Sequence, residues 1–166
     1  LEVFKPTIAA VNGACLGYGL TAVVSCDFVV ASDRATFSWP EVTIGIPTIV
    51  GAIRLPRKVA WADAMELLLT GEAIDAQRAV DIGLAWRVVP HGDLMAEARA
   101  LADRLCRAAP LAARATKEVA VRTRDMGWTE AVRFGETMRR VAGTTDDAAE
   151  GRTAWREKRS PEWEGR

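Results

Sequence analysis

The sequence predicts a mixed α/β fold in its first half and a helical one in its second, and three observations carry this. Short apolar runs broken by Asn12-Gly13 and by Gly17 and Gly19 read as strands and tight bends. Amphipathic helical periodicity takes over after Gly92. A chain of 166 residues is one ordinary domain's worth, long enough to bury a core.

Residues 7–11 read as a buried strand, Asn12-Gly13 as a turn, an apolar helix begins near Tyr18, and residues 27–31 form a second buried strand. Gly17 and Gly19 let the backbone approach a ligand. A helix starting there directs unpaired N–H groups and a positive partial charge at whatever binds, which is the geometry of a site for an oxyanion. Two alternatives compete with that reading. A nucleotide site is disfavoured because the third glycine of G-x-G-x-x-G and a G-K-[ST] are both missing, and the glycines could serve only close helix–strand packing.

Residues 36–39 follow as a short strand, then Pro40-Glu41 and an apolar loop over 42–50. A helix over 60–69, with Asp63 and Glu66 outward, stops at Gly71. A shorter helix over 76–82 starts behind Asp75 and stops at Gly83, and 85–89 is a strand. The remainder reads as helices over 93–108, 110–124, 129–142 and 146–158, with Pro110 in a first turn and Thr129 and Asp146 as caps. Residues 152–166 read as a solvated helical face with a frayed tail.

Composition narrows function. Formal net charge is zero, so no basic surface recommends nucleic acid or an anionic membrane as partner. No apolar run approaches a membrane span, and no signal-peptide pattern is visible. Cys15, Cys26 and Cys106 are odd in number, lack C-x-x-C spacing and sit among apolar residues, as buried reduced thiols of a cytoplasmic protein do. The single histidine, His91, falls in a turn after Pro90 and reads as a solvated loop residue. A metal centre or a Ser-His-Asp triad has little to be built from.

The motifs KPTIAAVNGACLGYGLTAVVSCDFVVAS, FSWPEVTIGIP with RLPR, LLLTGEAIDAQRAVDIGLAWRVVP and EGRTAWREKR, in that order and spacing, resemble the enoyl-CoA hydratase/isomerase (crotonase) superfamily over essentially the whole chain. The chain is similar to the C-terminal two-thirds of such a protein. The resemblance implies part of a crotonase-like ββα spiral over residues 1–90 and a helical region that oligomerises and covers CoA over 91–166. It also implies an acyl-CoA substrate in fatty acid metabolism, with coenzyme A as part of that substrate, no metal or redox cofactor, and a homo-oligomer, either a trimer or a dimer of trimers. Elements encoded before Leu1 would lie against the apolar faces of Ile8, Ala10, Leu20, Val23 and Val24, and the isolated chain would not be a self-sufficient, active monomer.

Carried over residue by residue, the resemblance places one oxyanion-hole N–H on Tyr18, where a glycine is usual, and leaves its companion N–H upstream of Leu1. Of the two carboxylates that do acid–base work in the hydratases, one matches Glu41. Framed by Trp39, Pro40, Val42 and Ile44, it suits proton transfer near neutrality. The other falls on Thr21, which cannot exchange a proton in the same way. Leu16, Gly17 and Thr48 line the substrate by the same resemblance, and Trp155 and Lys158 match an aromatic residue and a lysine that reach CoA, although both also suit an ordinary amphipathic helix. Where hydratases carry a glycine-rich stretch, Thr48, Ile49 and Val50 leave only Gly51, which implies a narrower acyl pocket. One carboxylate supports a double-bond shift more readily than hydration, which needs two to hold and deprotonate a water. The competing expectation is a truncated, non-catalytic homologue that serves in assembly or binds acyl-CoA.

Overall fold

Asn12-Gly13 separates the first two strands and sends them into different sheets. The computed structural model, which describes residues 3–166, places β1 at Ile8–Val11 and β2 at Ala14–Leu16. Helix α1 (Tyr18–Val23), β3 (Phe28–Ser32) and β4 (Thr36–Ser38) follow. β1 runs parallel to β3, with Ile8 opposite Phe28, and β2 runs parallel to β4, with Cys15 opposite Phe37. Each passage of the chain thus adds one strand to each sheet, which is how a spiral grows.

The stretch expected as an apolar loop, 42–50, is helical at its two ends and irregular over 45–49. A 3-10 turn over Pro40–Ile44 leads to α2 (Val50–Arg54) and a second 3-10 turn over Leu55–Arg57. Helix α3 (Trp61–Thr70) buries Ala64, Leu67 and Leu68, the spacing of one helical face, and stops at Gly71 in the left-handed conformation. β5 (Ile74–Asp75) joins β4 antiparallel. The Asp75 carboxylate accepts a hydrogen bond from the Arg78 N–H at 2.7 Å, capping α4 (Ala76–Asp81). β6 (Arg87–Val89) then pairs parallel with β3, giving the sheet orders β1-β3-β6 and β2-β4-β5. Four longer helices complete the chain: α5 (Leu94–Cys106), α6 (Pro110–Arg122), α7 (Trp128–Gly143) and α8 (Asp146–Glu157).

The chain divides into two units, Thr7–Ala102 and Asp103–Arg166 together with the described residues before Thr7. In the first, Leu20, Val29, Phe37, Trp39, Leu55, Leu67 and Leu84 are buried in one core. Each such side chain is worth about 1.5–3 kcal/mol relative to an exposed one. Leu20 and Val24, expected to face an element outside the chain, are buried within this unit; Ile8 and Val23 are half-buried and Ala10 is exposed. β1 is an edge strand, so of its residues only Val11 is buried. Its pairing with β3 begins at a clasp in which the Asp27 carboxylate accepts from the Thr7 N–H (2.7 Å) and hydroxyl (2.9 Å).

The thiols differ from one another. Of the three thiols expected to be buried, only Cys15 is, and burial pushes its pKa up; Cys26 is half-buried, and Cys106, at the end of α5, is exposed. His91 is exposed but anchored: its Nδ1 lies 3.1 Å from the hydroxyl of buried Ser32, and its N–H donates to the Asp33 carboxylate at 3.0 Å. Asp33 accepts from Ser32 and from the His91 backbone rather than from the imidazole, so the three do not form a relay.

In the second unit, the caps shift by a residue or two from expectation. Gly127 precedes α7 without a side-chain cap, leaving Thr129 inside the helix, and Thr145 rather than Asp146 caps α8, accepting from the Ala148 N–H at 3.2 Å. The tail is not frayed. Asp147, only 2% exposed, accepts from the N–H groups of Glu164 (2.8 Å) and Gly165 (3.1 Å), and Trp163 Nε1 donates to the Arg107 carbonyl at 2.9 Å. Arg159 grips both oxygens of Glu150 at 2.5 and 2.8 Å, and the Glu162 N–H donates to the same carboxylate at 2.9 Å. The final residues form a strap along α8.

Hydrogen bonds from Arg159, then from the Glu162 N–H, hold Glu150 down to a pKa of about 2. Its carboxyl ordinarily titrates at about 4.5, so between that value and about 2 the unfolded state takes up a proton that the folded state refuses. The stabilisation is full above the upper value and is lost as the pH falls through the lower one. Acid titration followed at the Trp163 indole resonance is expected to show strap release toward pH 2, with Glu150→Gln removing the pH-dependent component. A Glu150→Gln profile identical to the parent's would refute the assignment.

Candidate functional site

The site is built on a single bend. β2 ends at Leu16, and Gly17 turns the chain into α1 with φ 53° and ψ −119°, a conformation L-residues avoid. The Gly17 N–H donates to the Ser38 carbonyl at 3.0 Å, extending the β2–β4 ladder by one rung. The Gly17 carbonyl accepts the Thr21 N–H at 3.0 Å and the Thr21 hydroxyl at 3.2 Å. That hydroxyl in turn accepts from Trp39 Nε1 at 3.1 Å.

Glu41 comes to the same bend from the other side. It lies in the 3-10 turn Pro40–Ile44, which its own carbonyl helps close by accepting the Ile46 N–H at 3.0 Å. A Cβ on Gly17 would collide with Glu41 Oε1 and lie 3.2 Å from its Cδ, so only glycine lets the carboxylate seat there. Glu41 Oε2 is buried and has no hydrogen-bond partner among the described residues. Leaving such an oxygen unsatisfied costs about 1–3 kcal/mol, and more when it is charged. The expected apolar frame is only partial: Trp39 is fully buried, but Val42 and Ile44 are exposed, so the approach of Gly17 does the enclosing.

Tyr18 is the first residue of α1, so its N–H falls in the turn where no intrahelical acceptor exists. The positive φ sits on Gly17 and not on Tyr18, so tyrosine is accommodated without backbone strain, its side chain 84% exposed. Thr21 is buried and its hydroxyl is occupied by Gly17 and Trp39. Leu16 is exposed at the end of β2. Thr48 is half-buried; its methyl and the Trp39 indole close on Gly51, where a Cβ would lie 2.7 Å from Thr48 Cγ2 and 2.8 Å from Trp39 Nε1. Trp155 and Lys158 belong to the second unit. Trp155 is 82% exposed at the end of α8, and Lys158 caps that helix with φ 56°.

Sequence reasoning named Trp39 as part of the Glu41 frame and Gly51 as the glycine left in the acyl stretch, but missed the Trp39–Thr21 hydrogen bond and the packing of Gly51 on the indole. The signal was available for the first, because a buried indole N–H needs an acceptor and Thr21 was the polar residue left unexplained nearby. Thr21→Val should strand that N–H and lower the free energy of unfolding by about 1–3 kcal/mol, whereas Thr21→Ser should retain most of it. Urea unfolding of both variants checks this; equal stability of Thr21→Val and parent would sink it.

A family model described as enoyl-CoA hydratase/isomerase matches residues 1–166. The chain belongs to the enoyl-CoA hydratase/isomerase family. A carnitinyl-CoA dehydratase from Proteus mirabilis is 40% identical over 171 residues, covering 99% of this chain and 65% of the relative. The chain thus spans somewhat under two-thirds of that protein's length. Among solved structures, an enoyl-CoA hydratase/isomerase from Mycobacterium paratuberculosis matches with TM-score 0.94 and 38% identity over 99% of this chain and 66% of that one. An enoyl-CoA hydratase from Mycobacterium tuberculosis matches with TM-score 0.95 and 35% identity over 98% and 65%. The fold of this enoyl-CoA hydratase/isomerase family member is accordingly the crotonase spiral, followed by helices. Among the described residues no helix is long and apolar enough to cross a membrane, and no cluster of His, Cys, Asp and Glu could hold a metal ion.

Proposed function

We propose that the chain carries the acid–base part of a cytoplasmic acyl-CoA enzyme that shifts a double bond more readily than it adds water. The observation that supports this most is the buried, unpartnered oxygen of Glu41 against the Gly17 bend. A carboxylate held there can take a proton from a carbon next to the thioester carbonyl. The charge that develops on the thioester oxygen is met by the Tyr18 N–H, which the helix start leaves free to donate. The protonated Glu41 then returns the proton to a different carbon of the dienolate, and the double bond has moved.

Hydration would need a second group to hold and deprotonate water. At that position stands Thr21, whose hydroxyl hydrogen is directed at the Gly17 carbonyl. Leu16, Gly17 and Thr48 would contact the acyl thioester, and Trp155 and Lys158 would meet CoA phosphates or adenine within a homo-oligomer. The experiment is a paired assay of 3-enoyl-CoA isomerisation and 2-enoyl-CoA hydration, expected to favour the former. Hydration as the dominant rate would overturn the preference.

A further inference from the structure

We infer that Trp39 is a positioning residue that couples the loop at residues 48–51 to the direction of the Tyr18 N–H; this rests on the role of Tyr18 proposed above. The Gly17 carbonyl and the Tyr18 N–H belong to one peptide unit, which is planar and trans, so whatever orients the carbonyl orients the N–H in the opposite sense. That carbonyl is held by two bonds from Thr21, the N–H at 3.0 Å and the hydroxyl at 3.2 Å. A hydroxyl has one hydrogen to give, and Trp39 Nε1, donating to its oxygen at 3.1 Å, directs that hydrogen toward Gly17. The tie is fully buried at Trp39 and nearly so at Thr21, where water does not compete for its partners.

The same edge of that indole meets Gly51. A Cβ on Gly51 would lie 2.8 Å from both Trp39 Cε2 and Trp39 Nε1, so the nitrogen that serves Thr21 is also the atom against which α2 packs. A displacement of the 48–51 loop therefore presses on the hydrogen bond that steers the peptide unit. Shape at the acyl loop and alignment of the oxyanion donor share one side chain. Because the donor's alignment matters most when charge has developed on the thioester oxygen, its loss is felt in kcat rather than in KM.

The test uses Trp39→Phe, Gly51→Ala, their combination, and the pair Thr21→Val and Thr21→Ser, each made in the full-length protein. The first readout is the Tyr18 backbone amide in proton–nitrogen spectra, which is independent of turnover. Trp39→Phe and Gly51→Ala are each expected to shift that amide, and Gly51→Ala is expected to shift it little further once the indole nitrogen is gone. The second readout is kinetic. Each single variant should lower kcat about tenfold with KM close to the parent's, non-additively in the double variant, and Thr21→Ser should recover most of what Thr21→Val loses. A Tyr18 amide unmoved by Trp39→Phe and Gly51→Ala, or effects that simply multiply, would overturn the coupling. Parent-like turnover of Glu41→Gln alongside shifted Tyr18 amides would overturn the proposed chemistry and leave the coupling standing.

Discussion

In the full-length protein, Glu41→Gln is expected to lower double-bond isomerisation by about a hundredfold or more, the usual scale for loss of a general acid–base group. The substitution keeps the shape of the side chain and removes only its ability to hold and return a proton. Since Oε2 is buried without a partner, the neutral amide replaces a group whose ionised form is expensive to bury, so thermal stability should be unchanged or slightly raised. Reduced turnover with undiminished stability is the signature of a functional carboxylate. It is read from kcat on an enoyl-CoA substrate together with the melting temperature, and activity near that of the parent would sink the assignment.

Gly17→Ala should damage both fold and site. A side chain at φ 53° and ψ −119° is strained by about 1–3 kcal/mol, and seating a methyl against Glu41 adds about 1–3 kcal/mol of overpacking. Relief of that collision would require the carboxylate to move, and rotation of the bend would carry the Tyr18 N–H with it, so turnover should fall by about a hundredfold or more. Urea unfolding measures the first effect. Combining Gly17→Ala with Glu41→Ala separates its parts, because the collision disappears and only the dihedral strain is left. A double variant no more stable than Gly17→Ala alone would refute the steric account.

Much of this fold was legible because its elements carry local signals. Asp75 announces α4, Gly71 ends α3, and the run at residues 27–31 is apolar enough to be a central strand. β2 was invisible because three residues give no alternation to read, and its partner at Thr36–Ser38 lies beyond a helix and another strand. The helical ends of the 42–50 stretch were read as loop because Val42, Thr43, Ile44 and Val50 are β-branched, and tertiary packing overrode their weak helix propensity. The strap was misread for a different reason. Its composition is that of a solvated tail, while its order comes from Asp147 and Trp163, individual residues that no averaged property reports. In the site, Gly17 and Glu41 could be picked out by type, but the tie from Trp39 through Thr21 depends on a contact across 18 residues.

Lys158 holds a left-handed backbone at the end of α8, φ 56°, where glycine or asparagine would sit at lower cost. A lysine there forgoes about 1 kcal/mol of stability that glycine would recover. Directed evolution would expose this as a conflict between two selections. Libraries screened for survival on heating alone are expected to drift to glycine or asparagine at position 158, whereas libraries screened for growth on an acyl-CoA substrate are expected to hold the lysine. Convergence of both populations on glycine would mark the position as a tolerated defect, and divergence would mark it as one under functional selection.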